Sequence, residues 1–463
     1  MPRIPIASEF YERNAYGLAS ASMLNMFAEE AFTRERPAVL LPTPGLRLFT
    51  EVGDGPIRGI FQRDGVLGGV LVVVSGDIVY TVAADGQPTP RGFIAGTGRV
   101  RFSGNLDNLV IAQQGQDWVL TADTLEPIID SDFGDSGDTD FINGYHLFTR
   151  PDSGQLFWSE LLDPTQFNAL DFATAEGASD NLVGILVDKQ EIYLFGTETI
   201  ELFSPTGNID GAFARRPGGQ ITRGLAGVDA KVLVDNTIYF VGEDRRVYAM
   251  SGLSLQRVSK HAIEDILTDL SESEAADINM WTYTQDGHQF VMLDLPDRNT
   301  FVFDAVTGLW HERQSFERDI WLPQNGVRHL GGILSGSRED GKIFFLDKRQ
   351  DTDNGTQIKR QFTAGLSVEE RGQPIFNLIL DLIPGLGSVT GDNPQIGMRF
   401  SDDQGKTWSN EIVRELGLQG QHDAGVSWTR LGLVKTPIRI FEFTMTDIAR
   451  LAIQACRFNV NLI

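Results

Sequence analysis

The chain has 463 residues, 41% of them apolar, with 49 glycines, 29 phenylalanines and a single cysteine. That length exceeds one ordinary core and implies two or three domains, and abundant Gly and Phe in short apolar runs favour an all-β protein. Its 63 acidic and 39 basic residues leave a formal charge of −24, which argues against sequence-specific binding of nucleic acid, and Cys456 alone rules out an intrachain disulfide.

The first residues, "MPRIPIASEFYERNAYG", lack the apolar core of a signal peptide. "YGLASASMLNMFAEEAF" (16–32) is expected to be helical, and Pro37, Pro42 and Pro44 prevent the helix from continuing beyond it. Residues 1–56 are therefore expected to form an extended N-terminal arm that reaches over another surface. The longest apolar stretch, "GGVLVVVSG", is too short to span a bilayer, so no membrane insertion is expected.

From 57 to 350 the pattern repeats: a short apolar run, a turn, a second run. First runs are "VLVVV" (70–74), "LVIAQ" (109–113), "YHLFT" (145–149), "IYLFG" (192–196), "IYFVG" (238–242), "FVMLD" (290–294) and "GGILS" (331–335). Their partners run from "DIVYTV" (77–82) to "KIFFLD" (342–347). β-branched and aromatic residues in runs this short mean strands, and Gly, Asn and Asp between them mean hairpins. The recurrence, roughly 36 to 52 residues, is that of β-propeller blades. Seven units are counted, or six if the last is not a full blade. A large β-sandwich would space its strands more closely.

"HAIEDILTDLSESEAADI" (261–278) has apolar residues at 262, 263, 266, 267 and 270, which predicts a helical insertion between blades. "DTDNGTQ" after 350 is a polar break, and 351–463 reads as a C-terminal antiparallel β-sandwich. Its strands include "FNLILDLIPG", "IGMRFSDDQGKTWS", "VSWTRLG", "IRIFEFTMTD" and "CRFNVNLI", with apolar and polar residues alternating.

Few residues invite chemistry. "SDDQGKTWS" (401–409) resembles the Asp box of sialidase propellers, with Ser401, Asp403, Gly405, Thr407 and Trp408 in place. Those residues hold a turn and need not touch a substrate. "DSDFGDSGDTD" gathers Asp130, Asp132, Asp135, Asp138 and Asp140, but no Glu closes the loop as an EF-hand requires, so a solvated loop is expected. His146, His261, His288, His311, His329 and His422 are too far apart for a local zinc signature. His311 and Glu312 suggest an acid–base pair, but a packed blade edge is the better reading. "RRPGGQ" (215–220) opens no helix and has no Walker lysine, and Cys456 lies in an alternating strand. No catalytic, cofactor-binding or metal residue is assigned, and no cofactor is expected.

Many phrases together resemble the tail-hub, or nozzle, proteins of short-tailed bacteriophages, also called packaged-DNA stabilisation proteins. They include "LNMFAEE" (24–30), "TPGLRLF" (43–49), "DPTQFNALDFATAEGASDNLVGI" (163–185), "LFGTETIELFSPTGN" (194–208) and "FARRPGG" (213–219). "RVSKHAIED" (257–265), "GHQFVMLDLP" (287–296), "FDAVTGLWHERQS" (303–315) and "WTRLG" (428–432) continue the series. The resemblance implies a structural virion protein without enzymatic activity, assembled in the bacterial cytoplasm as a homohexameric ring below the portal and its adaptor. Such a ring closes the channel, retains packaged DNA, conducts it on ejection without sequence-specific binding, and mounts tail spikes or fibres and a plug or needle. The competing reading is a phage-borne glycan-binding or glycoside-hydrolysing propeller. That reading expects exposed tryptophans at the axis, whereas the hub reading expects Trp158, Trp281, Trp310 and Trp321 buried between blades.

Overall fold

The computed structural model describes residues 3–6, 22–33, 36–175, 177, 180–208, 211–368, 372–382, 393–416, 425–435 and 438–459. Seven four-stranded antiparallel units follow one another along the chain, five as separate sheets and two as parts of larger sheets of nine and six strands. They are blades 1 (57–93), 2 (101–127), 3 (139–174), 4 (182–221), 5 (231–257), 6 (279–313) and 7 (323–347 with 45–51). The count is therefore seven. The apolar runs seen in the sequence are the second and third strands of each blade. In blade 1 the second strand, Leu71–Ser75, is buried throughout, because it lies mid-sheet with neighbouring blades on both faces.

Blade 7 takes its fourth strand from the other end of the chain. Gly45–Glu51 pairs antiparallel with Lys342–Asp347, so the ring is closed by hydrogen bonds between distant segments. Gly45 is required there: a Cβ would lie 2.4 Å from the Thr352 carbonyl oxygen and 2.6 Å from that of Gln350.

The helix expected over 16–32 is not what forms where the chain is described; residues 16–21 lie outside the described residues. Met23–Leu24 and Met26–Thr33 are strands. Residues 23–28 are all buried, and from Met26 to Ala28 their side chains alternate between two cores, a period of two, not 3.6. Met26 and Ala28 enter the sandwich core, while Phe27 between them packs with Trp281, Phe290 and Trp321 of the propeller. A segment buried on both faces has no solvated side for a helix to present, and pairing with two domains overrides its local preference.

Two sheets form the sandwich. One holds Arg360–Ser367, Ile438–Met445, Gln395–Ser401 and Ile412–Glu415. The other holds Asn377–Leu382, Gly425–Thr429 and Ile453–Asn459 together with N-terminal strands Arg3–Ile4, Met26–Thr33 and Arg36–Pro42. Phe362 stacks on Phe443 at 4.8 Å between them, and Trp428 packs on Phe443 at 5.5 Å.

Met23–Leu24 joins the domains. It pairs in parallel with Trp310–Arg313 of blade 6 and antiparallel with Arg360–Ser367, so one nine-stranded sheet runs from propeller to sandwich. Asn25 fastens the joint: its amide donates to the carbonyls of Gln314 (3.0 Å) and Lys359 (2.8 Å). The insertion between blades 5 and 6 is two helices, His261–Thr268 and Glu272–Ala276. A Ser271/Glu274 capping box starts the second and accounts for the break.

Candidate functional site

The first strands of neighbouring blades touch one another, as between blades 2 and 3, 3 and 4, 5 and 6, 6 and 7, and 7 and 1, so they surround the propeller axis. Charged residues close that axis. Arg101, on the first strand of blade 2, makes a two-pronged contact with Asp229, just before blade 5, at 2.8 and 2.9 Å. Arg99 also reaches Asp229 (3.4 Å) and donates to the Asp277 carbonyl (2.8 Å). Lys231 of blade 5 pairs with Asp138 at 2.8 Å, and Asp138 accepts the Ile185 amide of blade 4 at 2.9 Å. Blades 2 and 5 lie three apart in a ring of seven, so the Arg101–Asp229 pair crosses the axis.

Burial opposes ionisation of Asp229, but Arg101 and Arg99 outweigh it and hold the carboxyl below its usual range. Beside this seal, Ser103 bonds the Nδ1 of His146 at 2.9 Å. Burial pushes His146 down to about 3, so its ring is neutral.

The five clustered aspartates do not share one site. Asp130 accepts the Asp132 amide at 2.8 Å and the Phe167 amide at 3.3 Å. Asp138 belongs to the axial seal. Asp140 accepts the Val187 amide at 2.7 Å, and desolvation pushes its carboxyl up to about 6. Asp132 and Asp135 stay with the turn 130–136, which lines a cavity of about 330 Å³ with Asp117 and Gln113. Among the described residues no group of three or more His, Cys, Asp or Glu could hold a metal ion.

His311 and Glu312 alternate across a strand and face opposite ways. His311 is buried beside Phe290, its Nε2 has no hydrogen-bond partner, and burial lowers it to about 3. Glu312 accepts from the Asn299 amide. His288 bridges Asp304 (2.7 Å) and Glu29 (2.8 Å), tying the N-terminal strand to blade 6. His422 lies outside the described residues. Arg215 and Arg216 of "RRPGGQ" sit on the outer strand of blade 4 and pair with Glu201 and Glu191. Cys456 is buried and its thiol is pushed up.

His311 gives a pH prediction. Its folded pKa is depressed, so its contribution is present above the unfolded value near 6.5 and is lost as pH falls towards 3. Asp117, Asp140 and Asp353, pushed up to about 6 by desolvation, act in the opposite sense over part of that range. The difference between variants is therefore diagnostic, not the overall profile. Relative to the native chain, His311→Phe should gain about 2 kcal/mol between pH 8 and pH 5, measured by chemical denaturation. A pH-independent difference would refute the burial of a neutral imidazole.

The Asp-box hairpin uses its own groups. Ser401 donates to Asp403 (2.7 Å) and accepts the Gly405 amide (2.8 Å). Asp403 accepts both the amide (2.8 Å) and the hydroxyl (2.6 Å) of Thr407. Thr407 and Ser401 together draw the carboxyl down to about 2. Gly405 has φ +87, and Arg399 lies over Trp408 at 4.6 Å. Both carboxylate oxygens are engaged within the turn. Asp403→Ala should speed amide exchange at Thr407 and leave the global melt nearly unchanged; unaltered exchange would show that the carboxylate does not organise the turn.

Trp158, Trp281, Trp310 and Trp321 are all buried, none more than 4% exposed. Trp281 and Trp321 stack at 6.1 Å, and the Trp310 indole donates to the Val258 carbonyl at 2.9 Å. The seal residues Arg99, Arg101, Asp229 and Lys231 were missed in the sequence. Arg101 and Asp229 are 128 positions apart, and no local pattern marks them.

The family model "Bacteriophage P22 Gp10, beta-propeller" matches residues 2–351, and "Bacteriophage P22 Gp10, beta-sandwich" matches 360–461. The tail hub protein gp10 of Salmonella phage P22 is 25% identical over 296 residues, which cover 58% of this chain and 62% of that protein. The matched stretch is thus under two thirds of that relative's length. Among solved structures, the extracellular domain of a putative hybrid two-component system from B. thetaiotaomicron aligns with TM-score 0.44 and 11% identity, over 83% of this chain and 47% of that one. The computationally designed Ika8 protein aligns with TM-score 0.39 and 12% identity, over 65% and 99%. With one family's propeller and sandwich models covering it nearly end to end, the chain belongs to the bacteriophage P22 Gp10 family, the tail-hub family that its sequence resembles.

Proposed function

We propose that this chain is a structural tail hub that acts as a ring of six copies below the portal and adaptor. The ring closes the DNA channel after packaging, retains the genome, conducts it on ejection and carries spikes or fibres and a plug. Family membership over both domains carries this reading. The sealed axis supports it: a propeller crossed by Arg101–Asp229 conducts nothing itself, so the conduit lies between copies. Cyclic symmetry makes such a conduit from one repeated contact. A formal charge of −24 per chain suits a lumen along which phosphate slides instead of sticking.

The hub turns over no substrate in this reading. The glycan-active alternative expects exposed tryptophans at the axis, whereas the four tryptophans that the hub reading expects between blades are buried, and the Asp box is closed on itself. The test is genetic. Particles assembled without this chain should fill with DNA and then lose it, and the chain supplied in trans should restore retention and infectivity. Particles that keep their DNA without it would overturn the reading.

A further inference from the structure

In blades 3 to 7 the turn joining the first two strands is two residues long, and its first residue has positive φ. That residue is Asn143 in blade 3, Lys189 in blade 4, Asp235 in blade 5 and Asp286 in blade 6. Asn and Asp tolerate the left-handed region better than other side-chain-bearing residues. Blade 7 places Leu330 there, at φ +50 and 51% exposed, followed by Gly331. A second leucine repeats the anomaly. Leu162, in the turn joining the last two strands of blade 3, has φ +64 and is 61% exposed. Each position combines backbone strain with apolar exposure, and the isolated chain gains nothing from either.

These turns lie on one face of the propeller. The Leu162 amide donates to the Gly144 carbonyl at 2.7 Å, which ties the two turns of blade 3 together. Leu106, on the corresponding turn of blade 2, is 71% exposed, and its carbonyl accepts the Leu67 amide of blade 1 at 2.9 Å. Leu330 of blade 7, Leu106 of blade 2 and Leu161 and Leu162 of blade 3 thus lie along an arc of this face, with blade 1 and its half-buried Leu67 between blades 7 and 2. Exposed Asp64, Asp107, Glu160 and Asp163 flank the arc, against Arg63 and Arg328.

We propose that this arc is a docking face for a different protein chain, one whose surface offers apolar sockets rimmed by Lys and Arg. Charge selects that occupant. The rim is acidic, with four exposed carboxylates against two arginines, so it attracts a basic rim and would repel the same acidic face of a second copy. Leucine knobs seated in sockets would offset the strain of their turns. The inference rests on the hub reading for its setting, since the partner is another component of the same particle.

The test uses Leu162→Asn and Leu330→Asn, singly and together, with Leu253→Asn on blade 5 as an exposed control outside the arc. The purified double variant should melt higher than the native chain, because Asn accepts the left-handed backbone. Particles assembled with it should lose about tenfold or more of one other tail protein by quantitative mass spectrometry. The control should change neither. A higher melt with unchanged particle composition would overturn the docking face. A change in the oligomeric state of the purified double variant would assign the face to a second copy and overturn the proposed occupant. Native chain missing from purified particles would defeat the hub reading, and this inference with it.

Discussion

A chain shortened to begin at residue 52 is expected not to reach the native fold. The deletion removes the fourth strand of blade 7, so the ring loses the pairing of Gly45–Glu51 with Lys342–Asp347. It also removes Met23, Met26, Ala28 and Leu40 from the sandwich core, and Phe27 and Leu46 from the cluster joining blades 6 and 7. Truncating one large buried side chain costs about 2–5 kcal/mol, and a whole domain is stable by about 5–15 kcal/mol. Five large side chains and a sheet edge exceed that margin. Circular dichroism should show no cooperative melt, and limited proteolysis should cut within both domains. A cooperative melt within a few degrees of the full chain would mean that the N-terminal strands are ornaments. Phe27→Ala is the graded version, with an expected loss of about 3–5 kcal/mol.

Asp229→Ala should be the most damaging single change at the propeller axis. It strands Arg101 and Arg99 opposite an apolar methyl group, where Asp229 had balanced their burial. Removing one partner of a buried pair costs about 3–5 kcal/mol, mostly from the charge left behind. Asp229→Ala combined with Arg101→Met should therefore be clearly more stable than Asp229→Ala alone. Denaturant titration of the four chains, native, two singles and double, measures the coupling. A loss below about 1 kcal/mol, with no coupling, would mean that water already fills the axis.

The parts legible in the sequence are those where one physical signal dominates. Second and third blade strands lie between neighbours in the sheet and between blades, so "VLVVV" or "IYLFG" must be apolar almost throughout. First and fourth strands carry mixed sequences. Arg101–Gly104 holds an axial arginine, and Phe213–Ile221 is exposed along most of its length, so neither announces a strand. The 16–32 segment misled because local composition favours a helix. The burial of Met26, Phe27 and Ala28 on two faces is set by two domains whose partners lie hundreds of residues later in the chain. The Asp box was readable because its hydrogen bonds are local, from Ser401 to Thr407. The axial seal was unreadable because it joins blades 2, 3, 4 and 5 through space. Leu162 and Leu330 were invisible for another reason: a leucine in a sequence carries no mark of a left-handed backbone.

Electron microscopy of the purified chain, alone and mixed with the adaptor ring, decides whether six copies close around a shared channel. Six-fold rings are expected, with the central channel between copies and each propeller axis closed by density between blades 2 and 5. Single copies in both samples, or a ring whose channel runs through the propeller axes, would refute the hub built from sealed propellers.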